Sequence, residues 1–350
     1  MIRLWRLCFH VRNLAPRSMH LLLPWRQVPA ALRYAHSSTM KPALFTLALA
    51  LLAPAAKSQP LPLANPLSPA AGTARCAFKS TPQGELAVDV YFPPDWKPTG
   101  RRPAIVLFFG GGFNTGTPAQ FAPQARYFAS RGMVAFTPEY RIRTKHGTTA
   151  DKSIEDAKSA IRWVRANAAR LGIDPARVAA GGGSSGGTCA ALAAWNTTFE
   201  PPGEDASVSA RPNALVLFNP ALGFGSMASQ FPAAQVATLG PIVSAWKLFP
   251  GGPSAILFYG AADRLIEGGR EFARRSLALG NRAEFYTAAG QGHGFFNPPG
   301  TGAGKAPWYE LTVWQADVFL ASLGYLDGPP AIARPAGGAA LKRELDKPSQ

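Results

Sequence analysis

The sequence is poor in cysteine, histidine and charged residues. Its 350 residues include three Cys and five His, with 16% charged against 47% apolar residues. Three cysteines without a Cys-x-x-Cys pair exclude a disulfide framework and a zinc-ribbon type of site. The apolar fraction indicates a globular chain with enough residues to bury a large core. The 35 Gly and 33 Pro follow no triplet period, which excludes collagen and predicts many loops.

Acidic residues are absent until Glu85. Eight Lys or Arg residues lie within residues 1–58, so half of the net charge of +16 belongs to this N-terminal sixth. The remaining positive excess is spread along the chain among acidic residues. Because a dispersed basic excess is weak support for a nucleic-acid partner, we expect none.

Residues 40–58 have the layout of a secretory signal peptide. Met40-Lys41 gives a short positive start, an apolar run covers 43–56, and small residues follow. This run is shorter than the roughly 20 residues that span a bilayer, so we expect no stable membrane insertion after cleavage. Residues 1–39 are interpreted as a mis-called upstream extension, and an Arg-rich transit peptide without acidic residues is the alternative. The protein is expected to be secreted or periplasmic. A buried helix or a membrane tether is the alternative for the apolar run.

The rest of the chain is interpreted as a single domain between two irregular segments. Residues 59–75 form a Pro-rich linker, residues 76–327 the domain, and residues 328–350 a flexible tail. Within the domain, residues 220–253 are rich in Gly, Pro and Ser and form a candidate cap over a site.

Short apolar runs alternate with helical patterns throughout the domain. This alternation predicts an α/β fold with a doubly wound, mostly parallel sheet and helices on both faces. The predicted strands are 85–91, 104–109, 133–137, 177–180, 214–218, 255–259 and 283–287, and the predicted helices are 118–130, 151–171, 185–195, 269–279 and 306–323.

The strongest motif lies where a predicted strand meets a predicted helix. Residues 177–187 read RVAAGGGSSGG, which contains Gly-x-Ser-x-Gly in two frames, centred on Ser184 and on Ser185. A nucleophilic serine on such a sharp turn has strained backbone angles, and flanking glycines avoid clashes. We prefer Ser184 because its frame also gives Ser-x-Gly-Gly. No Gly-Lys-Ser/Thr sequence follows, so the motif is not a phosphate-binding loop.

A serine hydroxyl needs a neighbouring base, and histidine is the usual one. Beyond residue 58 the chain has only His146 and His293. The order serine, acid, histidine selects His293, in a loop after the last predicted strand, and His146 is expected to be incidental. Asp263 directly follows a late predicted strand and would orient the imidazole. Glu267 is the alternative acid.

A run of three glycines, residues 110–112, follows the predicted strand 104–109. Backbone N–H groups that carry no side chain beside them can approach a substrate oxygen closely. We therefore predict an oxyanion hole formed by the N–H groups of Gly111, Gly112 and Ser185.

Together these motifs resemble the α/β-hydrolase superfamily. Within it they are most similar to esterases and lipases with a Gly-Gly-Gly oxyanion loop, including secreted acetyl-xylan and feruloyl esterase-like proteins. The resemblance covers roughly residues 76–325 and includes LGIDPARV from Leu171 and HGFF from His293. Many members of this group carry His where Phe109 and Thr188 stand here.

The resemblance implies hydrolysis of carboxylic esters with no metal and no organic cofactor. It assigns Ser184 as the nucleophile, Asp263 as the acid and His293 as the base. We accordingly predict an exported serine esterase that removes acetyl or aromatic acyl groups, with acylated plant polysaccharide as a candidate substrate. The alternatives are a serine peptidase of the prolyl-oligopeptidase type, a lipase or polyester depolymerase, and an inactive hydrolase fold that binds a ligand. The oligomeric state stays open.

Overall fold

The computed structural model describes four stretches of the chain. These are residues 72–223, 228–301, 304 and 307–345. The predicted extension, the signal peptide and residues 59–71 of the predicted linker lie outside them. No helix within these stretches is both long and apolar enough to cross a membrane.

The described residues form nine strands of one sheet. The strands are β1 Thr73–Thr81, β2 Gly84–Tyr91, β3 Arg102–Phe108, β4 Val134–Pro138, β5 Ile173–Gly183, β6 Ala214–Phe218, β7 Ser254–Gly260, β8 Ala283–Ala288 and β9 Leu341–Arg343. Their order across the sheet is β1-β2-β4-β3-β5-β6-β7-β8-β9. From β4 to β8 in this order all pairs are parallel, and the pairs at the two margins are antiparallel.

Helices connect the parallel strands. They are α1 Ala122–Ser130, α2 Arg143–His146, α3 Ala150–Ala166, α4 Ala168–Leu171, α5 Ser185–Trp195, α6 Ala233–Val243, α7 Ile266–Ala278 and α8 Trp308–Ala321. The predicted helix 151–171 is therefore two helices, separated at Asn167. The Asn167 side chain donates to the Trp163 carbonyl at 2.9 Å, a local bond that competes with helical hydrogen bonding.

Apolar side chains cover both faces of the sheet. Helices α3, α5 and α7 pack on one face, and α1 and α8 pack on the other. Strands β4 and β6 are buried along their whole length, as expected for parallel strands covered on both sides. The predicted fold class, a doubly wound α/β sheet, is confirmed.

Both edge strands escaped the sequence analysis. Strand β1 begins at Thr73, inside the predicted linker, so the domain starts earlier than residue 76. Strand β9 lies inside the predicted flexible tail and pairs with β8. The prediction of a loose tail is therefore corrected for residues 341–344. A strand of three residues is too short to show an alternating pattern in the sequence. It forms because it pairs with β8.

Cys76 and Cys189 are both buried and both free. Burial raises the pKa of each thiol above its usual value. Cys189, which follows the glycine-rich motif, is thus a buried free thiol, and the two cysteines form no bridge.

Replacing Glu344 with Gln should loosen β9. Arg270 donates two hydrogen bonds to the Glu344 carboxylate, at 2.9 and 3.1 Å, and lowers its pKa. A partly exposed ion pair of this kind contributes up to about 1 kcal/mol. We therefore expect amide hydrogen exchange in residues 341–344 to become up to about fivefold faster, with little change in the melting temperature.

The matched control is Glu271→Gln, which removes the ion pair with Arg275 on the same helix and should leave β9 unchanged. Because the pKa of Glu344 is depressed, its contribution is complete above pH 4.5 and is lost as the pH falls through the depressed pKa. Equal exchange rates in Glu344→Gln and Glu271→Gln would contradict this account of the tail.

Candidate active site

Five neighbouring parallel strands end at the same edge of the sheet. In spatial order they are β3, β5, β6, β7 and β8. Open α/β sheets bind ligands in the crevice beyond the carboxyl ends of such strands. The residues directly after these strands therefore converge, although about 180 positions separate the first from the last. The predicted glycine loop follows β3, Ser184 follows β5, Asp263 follows β7 and His293 follows β8.

The turn from β5 into α5 places Ser184 in a strained conformation. Its φ of 52° and ψ of −122° lie where residues with side chains are rarely found. Its N–H donates to the Phe218 carbonyl of β6 at 2.9 Å, which fixes the turn against the neighbouring strand. A Cβ at Gly186 would lie 2.2 Å from the carbonyl oxygens of Phe108 and Phe109. Only glycine permits the first turn of α5 to approach the end of β3 so closely.

The structure distinguishes the two serine frames. The Ser184 hydroxyl lies 3.0 Å from His293 Nε2. Ser185 is 1% exposed, and its hydroxyl lies 3.5 Å from the hydroxyl of the buried Tyr140. Ser184 is therefore the serine that meets the other predicted residues, and the Ser185 side chain points into the protein.

His293 joins Ser184 to Asp263. Its Nδ1 lies 2.8 Å from Asp263 Oδ2, and the other carboxylate oxygen accepts the Leu265 N–H at 2.9 Å. A carboxylate only accepts, so Nδ1 carries the imidazole proton and Nε2 can accept the serine proton. The loop before His293 is tied to the end of β7, because the Ala262 N–H donates to the Gln291 carbonyl. We call this arrangement the Ser184–His293–Asp263 chain.

The alternative residues lie elsewhere. Glu267 pairs with Arg270 on the first turns of α7. His146 Nδ1 accepts the Ile142 N–H at 2.9 Å, and burial and the neighbouring Lys145 lower the pKa of this histidine. Neither residue takes part in the Ser184–His293–Asp263 chain.

The glycine loop, residues 110–116, leaves backbone donors beside Ser184. Among the described residues, no hydrogen bond uses the N–H group of Gly111, Gly112 or Ser185. Gly111 has a φ of +130°, and a Cβ there would lie 2.0 Å from the Thr115 carbonyl oxygen. The loop and Ser184 line one cavity. These three predicted donors are therefore available to a bound oxygen.

The segment after β4 holds the outer side of the glycine loop. The Tyr140 hydroxyl donates to the Phe109 carbonyl at 2.6 Å, and the Arg143 N–H of α2 donates to the Phe113 carbonyl at 3.0 Å. Burial raises the pKa of Tyr140 well above its ordinary value, so its hydroxyl stays a donor. The loop is fixed at both ends of its glycine run.

The two departures from the esterase pattern are accommodated by packing. The Phe109 ring stacks on Tyr140, with ring centres 4.1 Å apart and planes 13° from parallel. The Thr188 hydroxyl lies 3.1 Å from the Ser184 carbonyl and 2.8 Å from that of Ala221. Both residues thus support the site from behind without facing it.

A side-chain bridge links the glycine loop to the histidine loop. The Gly110 N–H donates to Gln120 Oε1 at 2.6 Å, and Gln120 Nε2 donates to Asn297 Oδ1 at 3.1 Å. Asn297 Nδ2 then donates to the Gly294 carbonyl at 2.9 Å. Neither amide is assigned a role from the sequence, because no local pattern marks two residues 177 positions apart as partners.

Asn219, at the end of β6, is a further residue that the sequence analysis missed. It is fully buried, and its φ of 38° is positive. Its side-chain oxygen accepts the Gly294 N–H at 3.2 Å, and its amide nitrogen lies 3.4 Å from His293 Nε2. A strained non-glycine residue in contact with a site is typical of positions held for function. The feature of the sequence that could have indicated Asn219 is its position directly after a predicted strand.

Two cavities open on either side of Ser184 and His293. The first, of about 200 Å³, is mainly apolar and is called the capped cavity, because residues of the predicted cap 220–253 line it. The second, of about 270 Å³, is called the amide cavity, because the side-chain amides of Gln120, Asn219 and Asn297 line it. The capped cavity is lined by Gly112, Phe113, Ser184, Ser185, Ala221, Phe231, Gln235, Leu239, Val243, Arg264, Leu265 and His293. The amide cavity is lined by Gly110, Gly111, Gly112, Gln120, Ser184, Asn219, His293, Gly294, Phe296 and Asn297.

Comparison with known proteins agrees with this geometry. The family BD-FAE matches residues 88–217. Carboxylesterase NlhH of Mycobacterium tuberculosis is 36% identical over 111 residues, which is 31% of this chain and 34% of that protein. Esterase LipI of the same species is 33% identical over 114 residues, 32% of this chain and 35% of that protein. The matched segment thus spans about a third of the length of these curated relatives.

Esterase 2 of Thermogutta terrifontis is similar over most of the chain. Its structure with bound propionate is 40% identical, with a TM-score of 0.67, and covers 73% of this chain and 96% of its own. The chain belongs to the carboxylic ester hydrolases of the α/β-hydrolase fold. The resemblance to esterases that the sequence motifs indicate is therefore confirmed. The protein is called the esterase from here on. In the described parts of the esterase, no group of three or more His, Cys, Asp or Glu could hold a metal ion.

Removing the Gln120 side chain should slow turnover more than it weakens substrate binding. Gln120→Ala removes the bridge between the glycine loop and the histidine loop. It removes no hydrogen bond of Ser184 or Asp263. Because loosely held donors stabilise a developing charge poorly, we expect kcat for 4-nitrophenyl acetate to fall about tenfold while KM stays within about twofold. Steady-state kinetics and the melting temperature measure this.

Gln315→Ala is the matched control, since Gln315 makes a single side-chain bond to Tyr286 away from the site. It should leave kcat unchanged. A drop in kcat of the same size in both variants, or an effect of Gln120→Ala on KM alone, would argue against a positioning role.

Proposed function

We propose that the esterase hydrolyses esters of short carboxylic acids through an acyl-enzyme on Ser184. The observation that carries this proposal is the Ser184–His293–Asp263 chain, with contacts of 3.0 and 2.8 Å, beside backbone N–H groups that bond to no other described residue. A serine, a base and oriented N–H groups are the three parts that acyl transfer requires.

In the acylation step the Ser184 hydroxyl attacks the ester carbonyl carbon, and His293 Nε2 takes its proton. The carbonyl oxygen becomes an oxyanion, which the N–H groups of Gly111, Gly112 and Ser185 are placed to receive. Each such donor is typically worth about 3–4 kcal/mol in the transition state. Asp263 holds the imidazole and stabilises its protonated form. The tetrahedral adduct then expels the alcohol, which leaves with the proton from Nε2.

Deacylation repeats these steps with water as the nucleophile. Nε2 takes one proton from the water, whose oxygen attacks the acyl carbon. The second tetrahedral adduct expels the Ser184 oxygen, which regains the proton from Nε2, and the carboxylic acid is released. The cycle consumes one ester and one water and returns the enzyme unchanged.

Short acyl groups fit the space beside Ser184. At about 200 and 270 Å³ the two cavities are smaller than the roughly 300–1,000 Å³ of pockets that take drug-sized molecules. Structures of the Thermogutta esterase 2 hold propionate and butyrate, which supports acids of this size. The side-chain amides and the glycine backbone that line the amide cavity would suit a hydroxylated group such as a sugar. Acetylated plant polysaccharide is therefore the substrate we propose.

Export is part of this proposal, because a polymer must be met outside the cell. Its support is the signal-peptide pattern of residues 40–58, which lies outside the described residues. The mature chain would begin near Gln59 and be secreted or periplasmic.

Organophosphate labelling should identify the nucleophile. The Thermogutta esterase 2 is known in a form phosphorylated by paraoxon, so we expect paraoxon to add one diethylphosphoryl group to this esterase as well. Ser184→Ala should abolish the adduct, whereas Ser185→Ala should retain it because the Ser185 side chain is buried away from His293. Intact-mass and peptide-mass spectrometry measure both results. An adduct on Ser185, or full esterase activity in Ser184→Ala, would refute the assignment.

Acetate release from acetylated xylan tests the substrate and the export together. The chain from Met40, without the predicted upstream extension, is expressed in a bacterial host, and the exported fraction is assayed with Ser184→Ala as the blank. We expect an N-terminus near Gln59 and acetate release that the substitution abolishes. Activity on 4-nitrophenyl acetate without release from xylan would reject the polysaccharide and keep the esterase. Protein that stays in the cytoplasm with residues 40–58 attached would reject export.

A further inference from the structure

The capped cavity is lined by an arginine, Arg264, beside the reacting residues. Among the described residues that line it, Arg264 is the only one with a permanently charged side chain. The same cavity is lined by Ser184 and His293, so a group bound there would lie next to the ester bond. Most of the remaining lining is apolar and includes Phe231, Leu239 and Val243.

Arg264 is held in place by an aromatic ring. It directly follows Asp263 at the end of β7, and its guanidinium carbon lies 4.5 Å from the centre of the Phe231 ring. Stacking on an aromatic face orients a guanidinium and leaves its N–H edges open. The Phe231 ring of the predicted cap thus orients the guanidinium of Arg264, which follows β7 of the sheet.

No carboxylate among the described residues pairs with Arg264. The neighbouring Asp263 carboxylate is bonded to His293 and to the Leu265 N–H. By contrast, Arg270 on the following helix is paired with Glu267 and Glu344. Arg264 therefore retains its hydrogen-bonding capacity for a ligand.

We propose that Arg264 makes the capped cavity a subsite for a carboxylate carried by the ester substrate. This inference rests on the proposed esterase function and adds a substrate class to it. A guanidinium matches a carboxylate with two parallel N–H···O bonds, and the apolar lining suits the methylene groups that connect this carboxylate to the ester. The volume of about 200 Å³ limits the connection to a few bonds.

The carboxylate can belong to either half of the ester. On the acyl half, the substrates are monoesters of short dicarboxylic acids. On the alcohol half, they are acyl esters of hydroxy acids, among which are acidic sugars. The chemistry recognised is the same in both cases, and paired substrates distinguish them.

The test compares anionic esters with uncharged amides of nearly the same shape. Monomethyl succinate and methyl succinamate place the group on the acyl half, and acetoxyacetate and acetoxyacetamide place it on the alcohol half. In at least one pair we expect the anion to be preferred in kcat/KM. We expect Arg264→Gln to reduce that preference, measured as the ratio of kcat/KM for the anion to kcat/KM for the amide, about tenfold, because charge-assisted hydrogen bonds are lost. Arg264→Lys, which keeps the charge without the fork, should give an intermediate preference.

Arg211→Gln is the matched control. The Arg211 guanidinium also stacks at 4.5 Å, over Phe249, but it does not line the capped cavity. This variant should leave the anion preference unchanged. The inference is overturned if neither pair shows a preference that depends on Arg264, or if Arg211→Gln reduces the preference equally.

A binding measurement separates this inference from the proposed function. If the wild-type protein hydrolyses none of these esters or 4-nitrophenyl acetate, the proposed function fails. The subsite is then judged by saturation-transfer NMR of acetoxyacetate and acetoxyacetamide on the Ser184→Ala protein. Selective binding of the anion that Arg264→Gln removes supports the subsite. Equal binding of both compounds rejects it.

Discussion

The site depends on the close approach between the first turn of α5 and the end of β3. A side chain at Gly186 would collide with the carbonyls of Phe108 and Phe109, so the helix can start there only on glycine. This contact places Ser184 above the sheet with a positive φ, a conformation that costs roughly 1–3 kcal/mol. The hydrogen bond to the Phe218 carbonyl and the burial of α5 hold it. The same contact brings the N–H of Ser185 beside the glycine loop.

Around this turn, hydrogen bonds hold two parts of the site. One is the glycine loop, whose N–H groups would bind the oxyanion, and the other is the loop that carries the base, His293. Tyr140 holds the start of the glycine loop from outside, while Gln120 and Asn297 tie it to the histidine loop. Asn219 contacts the same histidine loop from β6. Donors held in advance need no reorganisation when charge develops, which is the main way in which an enzyme stabilises an oxyanion. We therefore expect these bridges to support turnover without direct contact with the ester carbonyl.

The sequence alone predicts those residues of the candidate site that local patterns mark. The glycines around Ser184, the strand before Asp263 and the scarcity of histidine each leave a mark that can be read along the chain. The bridge from Gln120 to Asn297 has no such local pattern in the sequence, since its two amides meet only when β3 and β8 lie in one sheet. Strand β9 was missed for the same reason: an ion pair with α7 and pairing with β8 stabilise it, and three residues have no period.

The most direct test of the whole account is to trap the acyl-enzyme during turnover. The esterase is mixed with 4-nitrophenyl acetate and quenched in acid within milliseconds, and peptide mass spectrometry locates any acetyl group. The account predicts acetyl on Ser184, formed as fast as nitrophenolate is released and absent in Ser184→Ala. Acetyl on another residue, or undiminished turnover in Ser184→Ala, would contradict it.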